Sequence, residues 1–206
     1  MKKIFYIYSL LISSLVFPQE TESEIKTETE KSFFTFELKG NLVQGIGDSF
    51  IADGLKSASG FAFSFSGTFH KNIGLGIEFS SASAKIKDAS VFGDLESSKF
   101  RFIDIYALYY YPVSKKFALE GDLGGSVVSL KSESEYWDKD FKEDGSAFFL
   151  GAKAIYALTK DGTLNLIGGT KIYFFDSNVS IAEPHWNKYY SKSTLLNFNL
   201  GVRVRF

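Results

Sequence analysis

Few side chains in this sequence could do covalent chemistry. The 206 residues hold two histidines and no cysteine. Without Cys there is no disulfide, no thiolate nucleophile and no thiol to carry a lipid anchor. His70 has Ser66 nearby in sequence, and His185 has Ser191 and Ser193. Acyl transfer needs a nucleophile, a base and an orienting group within hydrogen-bond reach. The stretch EPHWNKYYSKS, residues 183–193, offers no His-x-Ser spacing, so both histidines are expected to be solvated loop residues rather than catalysts. A cation loop is the other candidate. DKDFKEDG, residues 138–145, is acidic, but Lys142 occupies a place where an oxygen ligand is wanted. No acidic residue closes the loop after Gly145 at the right distance. The expectation is a solvated acidic loop, no metal and no cofactor.

A second set of charges has a more informative spacing. Glu37, Glu78, Asp104, Glu120 and Asp122, with Lys39, Lys153, Lys171, Arg203 and Arg205, all sit in runs where apolar residues take every second place. Five acids face five bases. If that polar phase points inward, the charges must pair, because an isolated buried charge is very costly. A salt-bridged, plugged interior is expected; the rival is an ion pathway. Glu37 and Arg203 lie toward the same end of their segments and are expected to pair, with the register open by two residues.

The elements that must position these charges follow from the period. From Phe33 onward it is two, not 3.6. Phe34, Phe36, Leu38 and Leu42 oppose Glu37, Lys39 and Asn41. Phe61, Phe63, Phe65 and Phe69 oppose Ala62, Ser64, Ser66 and Thr68. Ile73, Leu75, Ile77 and Phe79 oppose Gly74, Gly76 and Glu78. Asp104 sets the phase of the fourth segment, leaving Ile103, Ile105, Ala107 and Tyr109 on the other face. Leu119, Leu123 and Val127 oppose Glu120, Asp122 and Ser126; Phe148, Leu150, Ala154 and Tyr156 oppose Gly151 and Lys153. Leu164, Leu166, Ile172 and Phe174 oppose Asn165 and Lys171, and the tail LNFNLGVRVRF alternates to its last residue. No stretch after the leader shows a convincing helical period. Long links (44–57, 83–98, 131–145, 176–191) alternate with short ones (70–72, 112–116, 160–162). The short links are expected to be hairpins, with Asn72 and Gly162 in the left-handed role.

Alternation alone does not say which face meets water. A soluble barrel has the apolar phase inside and a membrane barrel the reverse. The polar phase of the second segment carries only small groups, which suits a crowded lumen rather than a solvated surface. The apolar phase is uniformly Phe, Leu, Ile and Val, as a lipid-facing band must be. Tyr109, Tyr110, Tyr111 and Tyr156 lie toward the short-turn ends, where an aromatic girdle belongs. In hydrocarbon an open sheet edge is prohibitive, so the eighth segment is expected to pair with the first.

The rest of the composition agrees. Aromatic residues make up 17%, with 22 Phe and 11 Tyr, types that favour strands. Two lysines followed by an apolar run to Phe17 read as a secretory signal, residues 1–19. Residues 20–32 are polar and acidic and read as a flexible linker. Removing Lys2 and Lys3 from 23 basic residues leaves 21 against 24 acidic. No basic stripe for nucleic acid is present.

These features together resemble the small eight-stranded outer-membrane β-barrel family of the OmpA/OmpX type, over residues 33–206. The fold class expected is all-β, an eight-stranded antiparallel up-and-down transmembrane barrel in the cell outer membrane. The resemblance implies that Phe198, Leu200, Val202, Val204 and Phe206 form the terminal signal read by the barrel assembly machinery. It further implies periplasmic termini, four outward loops, outer-membrane lipid as surroundings, and no peptidoglycan-binding domain after Phe206. Tyr136, Trp137 and Phe141 in the third long loop, and Trp186, Tyr189 and Tyr190 in the fourth, are candidates for contact with an unknown surface partner; interface anchoring and loop packing is the plainer role. The functional expectation is a non-enzymatic barrel for envelope structure or surface interaction. The alternatives are transport of a small solute or lipid, and modification of lipid A.

Overall fold

The computed structural model describes residues 32–70, 72–92, 95–133, 141–179 and 183–206. The leader, all but the last residue of the acidic linker, and the loop residues Tyr136 and Trp137 lie outside the described residues.

Eight strands follow one another: β1 (Phe33–Ile46), β2 (Ala58–His70), β3 (Ile73–Lys85), β4 (Ser97–Pro112), β5 (Phe117–Glu133), β6 (Phe141–Ala157), β7 (Leu164–Ser177) and β8 (Lys192–Arg205). Each pairs antiparallel with the next, and the sheet closes into a barrel in sequence order. The seam joins β1 to β8 from Thr35 opposite Arg205 to Ile46 opposite Thr194. Phe206 continues it by donating its N–H to the Phe34 carbonyl at 2.9 Å. This is the all-β, up-and-down architecture that the period of two predicts.

The faces sort as the alternation demands. Phe34 is 61% exposed and Ile105 65%, while Glu37 is 1% and Asp104 0% exposed. In water such a surface would forfeit the hydrophobic driving force of its largest side chains. In hydrocarbon it is the required one, and closure leaves no edge unpaired. Tyr109, Tyr111 and Tyr156 stand on this outer face at the short-turn end. Tyr110 does not join them. It turns inward and meets Phe33 edge-on at 5.3 Å, as its place one residue out of phase requires.

The hairpins at the turn end take the expected form. Asn72 has φ +64° and Gly162 φ +72°. These values bring the backbone twist of a short turn into line with that of its strands. At the opposite end the strands outrun the sequence reading. β5 continues to Glu133 and β6 starts at Phe141, so residues 141–145 of the acidic stretch are strand, not loop. Backbone pairing there no longer needs an apolar outer face, and the loss of alternation had hidden it.

Among the described residues, three short helices also correct the expectation of none: α1 (Phe50–Gly54), α2 (Ala89–Phe92) and α3 (Pro184–Ser191). The longest has two turns, too few for a 3.6-residue period to register. Local chemistry starts them instead. The Ser49 side chain caps α1 by accepting from the Ala52 N–H at 3.4 Å, and Pro184 opens α3, where its missing N–H costs nothing. The α1 helix turns Phe50 and Ile51 into the barrel mouth, where both are buried.

Candidate functional site in the barrel lumen

Inward residues arrange themselves in layers along the barrel axis. At the turn end Ala118, Ile155 and Ile167 form a small apolar cluster with Tyr110 against it. At the loop end lies a larger one, including Phe100, Phe102, Phe149, Tyr173, Phe175, Leu130 and Leu195, closed by Phe50 and Ile51 of α1. Between them are the charges.

The charged layer is a single connected network. Lys39 donates to Glu37 at 2.6 Å and to Glu78 at 2.5 Å. Lys171 links Glu78 at 2.9 Å to Asp104 at 2.7 Å. Lys153 joins Glu120 at 2.7 Å, Asp122 at 3.2 Å and, at 3.6 Å, Glu37. Arg203 completes the ring: its Nε donates to Glu37 at 2.7 Å and its Nη2 to Glu37 and, at 2.7 Å, to Glu120. Glu37 and Arg203 are direct cross-strand partners at the seam. Every member is buried.

The sequence period explains the convergence. Residues two apart on one strand share a face, so Glu37 and Lys39, or Glu120 and Asp122, present their charges one above the other. Strand pairing then brings neighbours into contact, as with Glu78 opposite Asp104 and Glu120 opposite Lys153. Arg205, the tenth expected member, is set apart from the rest. Its guanidinium lies 3.8 Å from the Phe33 ring centroid at the turn-end mouth. Five carboxylates therefore meet four cations in the layer itself.

Other contributors were not singled out from sequence. The Ser64 hydroxyl donates to Glu37 at 2.8 Å and the Tyr173 hydroxyl to Asp104 at 2.7 Å. Both lie in the inward phase of their strands, which was the available signal. Tyr106 lies against the layer with Lys153 and Lys171 each 5.3 Å from its ring centroid. Gly76 makes room for it, since a Cβ there would come within 2.3 Å of the Tyr106 Cζ. The Phe149 ring takes Lys171 at 4.7 Å. Aromatic faces thus carry part of the cations' solvation.

The sequence candidates for covalent chemistry are not drawn together. Ser66 hydrogen-bonds Thr35 at 2.6 Å inside the barrel, whereas His70 is exposed at the end of β2. His185 stands on α3, but its side chain lies outside the described residues. Ser191, the last residue of that helix, and Ser193 on β8 are buried. Of the surface aromatics, Trp186, Tyr189 and Tyr190 share α3. The Trp186 ring lies 6.1 Å from Tyr189 and 6.3 Å from Tyr190, and Tyr190 packs on Phe50 of α1 at 5.8 Å. Tyr189 donates to Asp53 at 3.0 Å; burial, then the bond to Asp53, pushes its phenol up to about 12. Trp186 remains 47% exposed. Phe141 begins β6, and only its backbone is described. On β8, Phe198, Leu200 and Val202 point outward and Phe206 ends the seam exposed; Val204 lies half-buried between them.

No known protein-family profile matches the chain, and no curated protein matches it in sequence. Solved structures do share its fold. Neisserial surface protein A superposes with a TM-score of 0.59 at 15% identity, covering 86% of this chain and 100% of that one. A major outer membrane protein of Thermus thermophilus gives 0.54 at 12% identity, covering 86% and 100%. Ail, the attachment invasion locus protein of Yersinia pestis, gives 0.52 at 13% identity, covering 85% and 97%. The fold is that of the small eight-stranded outer-membrane barrels. An apolar girth, a charged interior and a closed edge suit such a barrel to the outer membrane.

Proposed function

We propose that this chain is a non-enzymatic outer-membrane barrel with a plugged lumen, serving envelope structure or surface contact through its long loops. The observation that carries the reading is the layering: a mutually paired ion network between two apolar clusters. An ion entering from either end would have to shed its water in an apolar layer and then break pairs that are already satisfied. Eight strands enclose only enough room for side chains.

The loop end supplies the contact surface. The α3 aromatics are held by Phe50 and Asp53, so Trp186 is presented on a braced support rather than a free loop. Rigid aromatic side chains are the usual anchors of protein contacts. The loop end faces outward in this reading, and the alternation ending at Phe206 serves the assembly machinery.

Two measurements test it. Purified protein in a planar bilayer is expected to show no stepwise conductance; steady single-channel currents would favour transport. Protease added to whole cells is expected to cut in the long links and to spare the short turns. Cleavage at the turns alone would reverse the orientation.

A further inference from the structure

The two ends of the barrel differ in charge. The long stretches at the loop end (44–57, 83–98, 131–145 and 176–191) hold thirteen acidic residues against seven basic ones. The short links at the turn end (70–72, 112–116 and 160–162) hold four lysines against Asp161 alone. That aspartate is engaged within its own turn, where its carboxylate accepts from the Thr163 N–H at 3.2 Å and from the Thr163 hydroxyl at 2.7 Å. Lys115, Lys116 and Lys160 are exposed, and none of the three has an ion-pair partner among the described residues. Their two turns abut, since the Lys116 carbonyl accepts from the Ala157 N–H at 2.8 Å. At the mouth beside them, Arg205 lies over the Phe33 ring and is partly exposed.

The chain itself supplies a complementary segment at this end. β1 starts at Phe33 on the turn side, and the Ser32 hydroxyl donates to the Phe69 carbonyl at 3.3 Å, which fixes the point of departure beside the β2–β3 turn. The preceding residues, 20–31, lie outside the described residues and read ETESEIKTETEK. Five glutamates against two lysines give that stretch a net charge of −3. Every one of the glutamates has an even number, so an extended chain would turn all five to one side. The stretch is also long enough. At about 3.3 Å per residue its reach is up to about 40 Å. The Lys115–Lys116 turn is four strands from β1, about 20 Å round the wall at about 4.8 Å per strand, and the Lys160 turn is nearer, between β6 and β7.

We infer that the turn-end face is the docking surface for this chain's own acidic segment, residues 20–31, whose glutamates meet Lys115, Lys116, Lys160 and Arg205 across the mouth of the barrel. Three observations select this occupant over a separate partner: its charge is opposite to that of the face, it departs from the same end, and it spans the distance. Tethering adds an effective concentration of about millimolar, an advantage that a free partner lacks. Exposed ion pairs are individually weak, so the contact depends on several glutamates acting together and on modest salt. The docked segment lays a polar cover over Phe33 and Arg205 and keeps other polyanions from the lysines. The inference holds whichever side of the membrane the turn end faces.

The test attaches a nitroxide spin label through Thr27→Cys to the folded protein, isolated with residues 20–31 intact and placed in phosphatidylcholine nanodiscs. NMR then reads the paramagnetic relaxation enhancement at the backbone amides of residues 115, 116 and 160. Replacing the five glutamates together by Gln is expected to cut that enhancement at least about fivefold, and so is about 1 M salt, where the Debye length falls to about 3 Å. Lys115→Ser, Lys116→Ser and Lys160→Ser combined are expected to give the same loss, with heat-dependent gel mobility verifying that the barrel is folded. Should that variant misfold, the Gln variant decides, because its changes lie before β1. Equal enhancement with and without the glutamates would overturn the inference, since the tether alone would then account for the proximity. Persistence of the enhancement when anionic phospholipid is added to the nanodiscs is expected. Its loss there would overturn the choice of occupant and give the face to lipid headgroups.

Discussion

The two halves of the lumen solve the same problem with opposite chemistry. Toward the turn end, nine charged side chains fill the barrel by pairing with one another. Toward the loop end, Phe100, Phe102, Phe149, Tyr173 and Phe175 fill it by packing. The two meet where Tyr106 and Phe149 place ring faces beside Lys153 and Lys171. The halves should differ in how they fail. A pair network has little tolerance for the loss of one member, since the partners remain as buried charges. A packed layer loses only what is removed, plus the cavity left behind.

That contrast sets the order of expected effects. Glu37→Leu should be the most damaging substitution, because Lys39, Lys153 and Arg203 all lose a partner. A loss of about 3–5 kcal/mol is expected in urea unfolding from micelles, and a loss below about 1 kcal/mol would mean the network relaxes as freely as the apolar layer. In the aromatic half, Phe149→Ala should cost about 3 kcal/mol or somewhat more, whereas Phe149→Leu should cost under about 1.5 kcal/mol by the same measurement. Equal damage from both would show that ring shape, not volume, matters beside Lys171. Phe63→Arg leaves the lumen untouched and should cost about 2–4 kcal/mol through the lipid face alone; a thermally unaltered protein would place that face elsewhere.

The smallest effect lies outside both layers, in the β6–β7 turn. Side-chain hydrogen bonds from Thr159 and Thr163 hold the exposed Asp161 carboxyl down to about 2, below its usual 3.8. A lowered folded value means the stabilisation is complete above the usual value and is lost as the pH falls through about 2. Asp161→Asn should therefore narrow the stability difference between neutral and strongly acidic solution slightly, and an unchanged pH profile would count against the turn's role.

The two halves also differed in how legible they were. A charge recurring in a period-two run is conspicuous, so Glu37, Asp104 or Lys171 could be assigned to the interior from sequence. Their grouping followed from closure, because β1 had to meet β8. Arg205 was misgrouped because alternation gives a face but not a depth; one further step along β8 takes it out of the layer to Phe33. The aromatic half was hidden for a related reason. In FRFIDIY or KIYFFDS both phases are apolar, so inward Phe102 and Tyr173 look no different from outward Ile103 and Phe174. The short helices left no period to find. Lipid-facing residues were the easiest of all, since a single solvent imposes one composition on them.

Sealing of the lumen is the claim on which the rest depends, and the absence of native cysteine permits a direct test. Ser126 faces inward from β5 and is 5% exposed; Ser90, on the loop side, is exposed. The measurement is the rate at which a small water-soluble thiol reagent modifies Ser126→Cys, relative to Ser90→Cys, in protein reconstituted into bilayers. A sealed interior predicts prompt reaction at position 90 and protection at position 126 until the barrel is unfolded. Comparable rates at the two positions would mean that water crosses the layers and that the barrel is open.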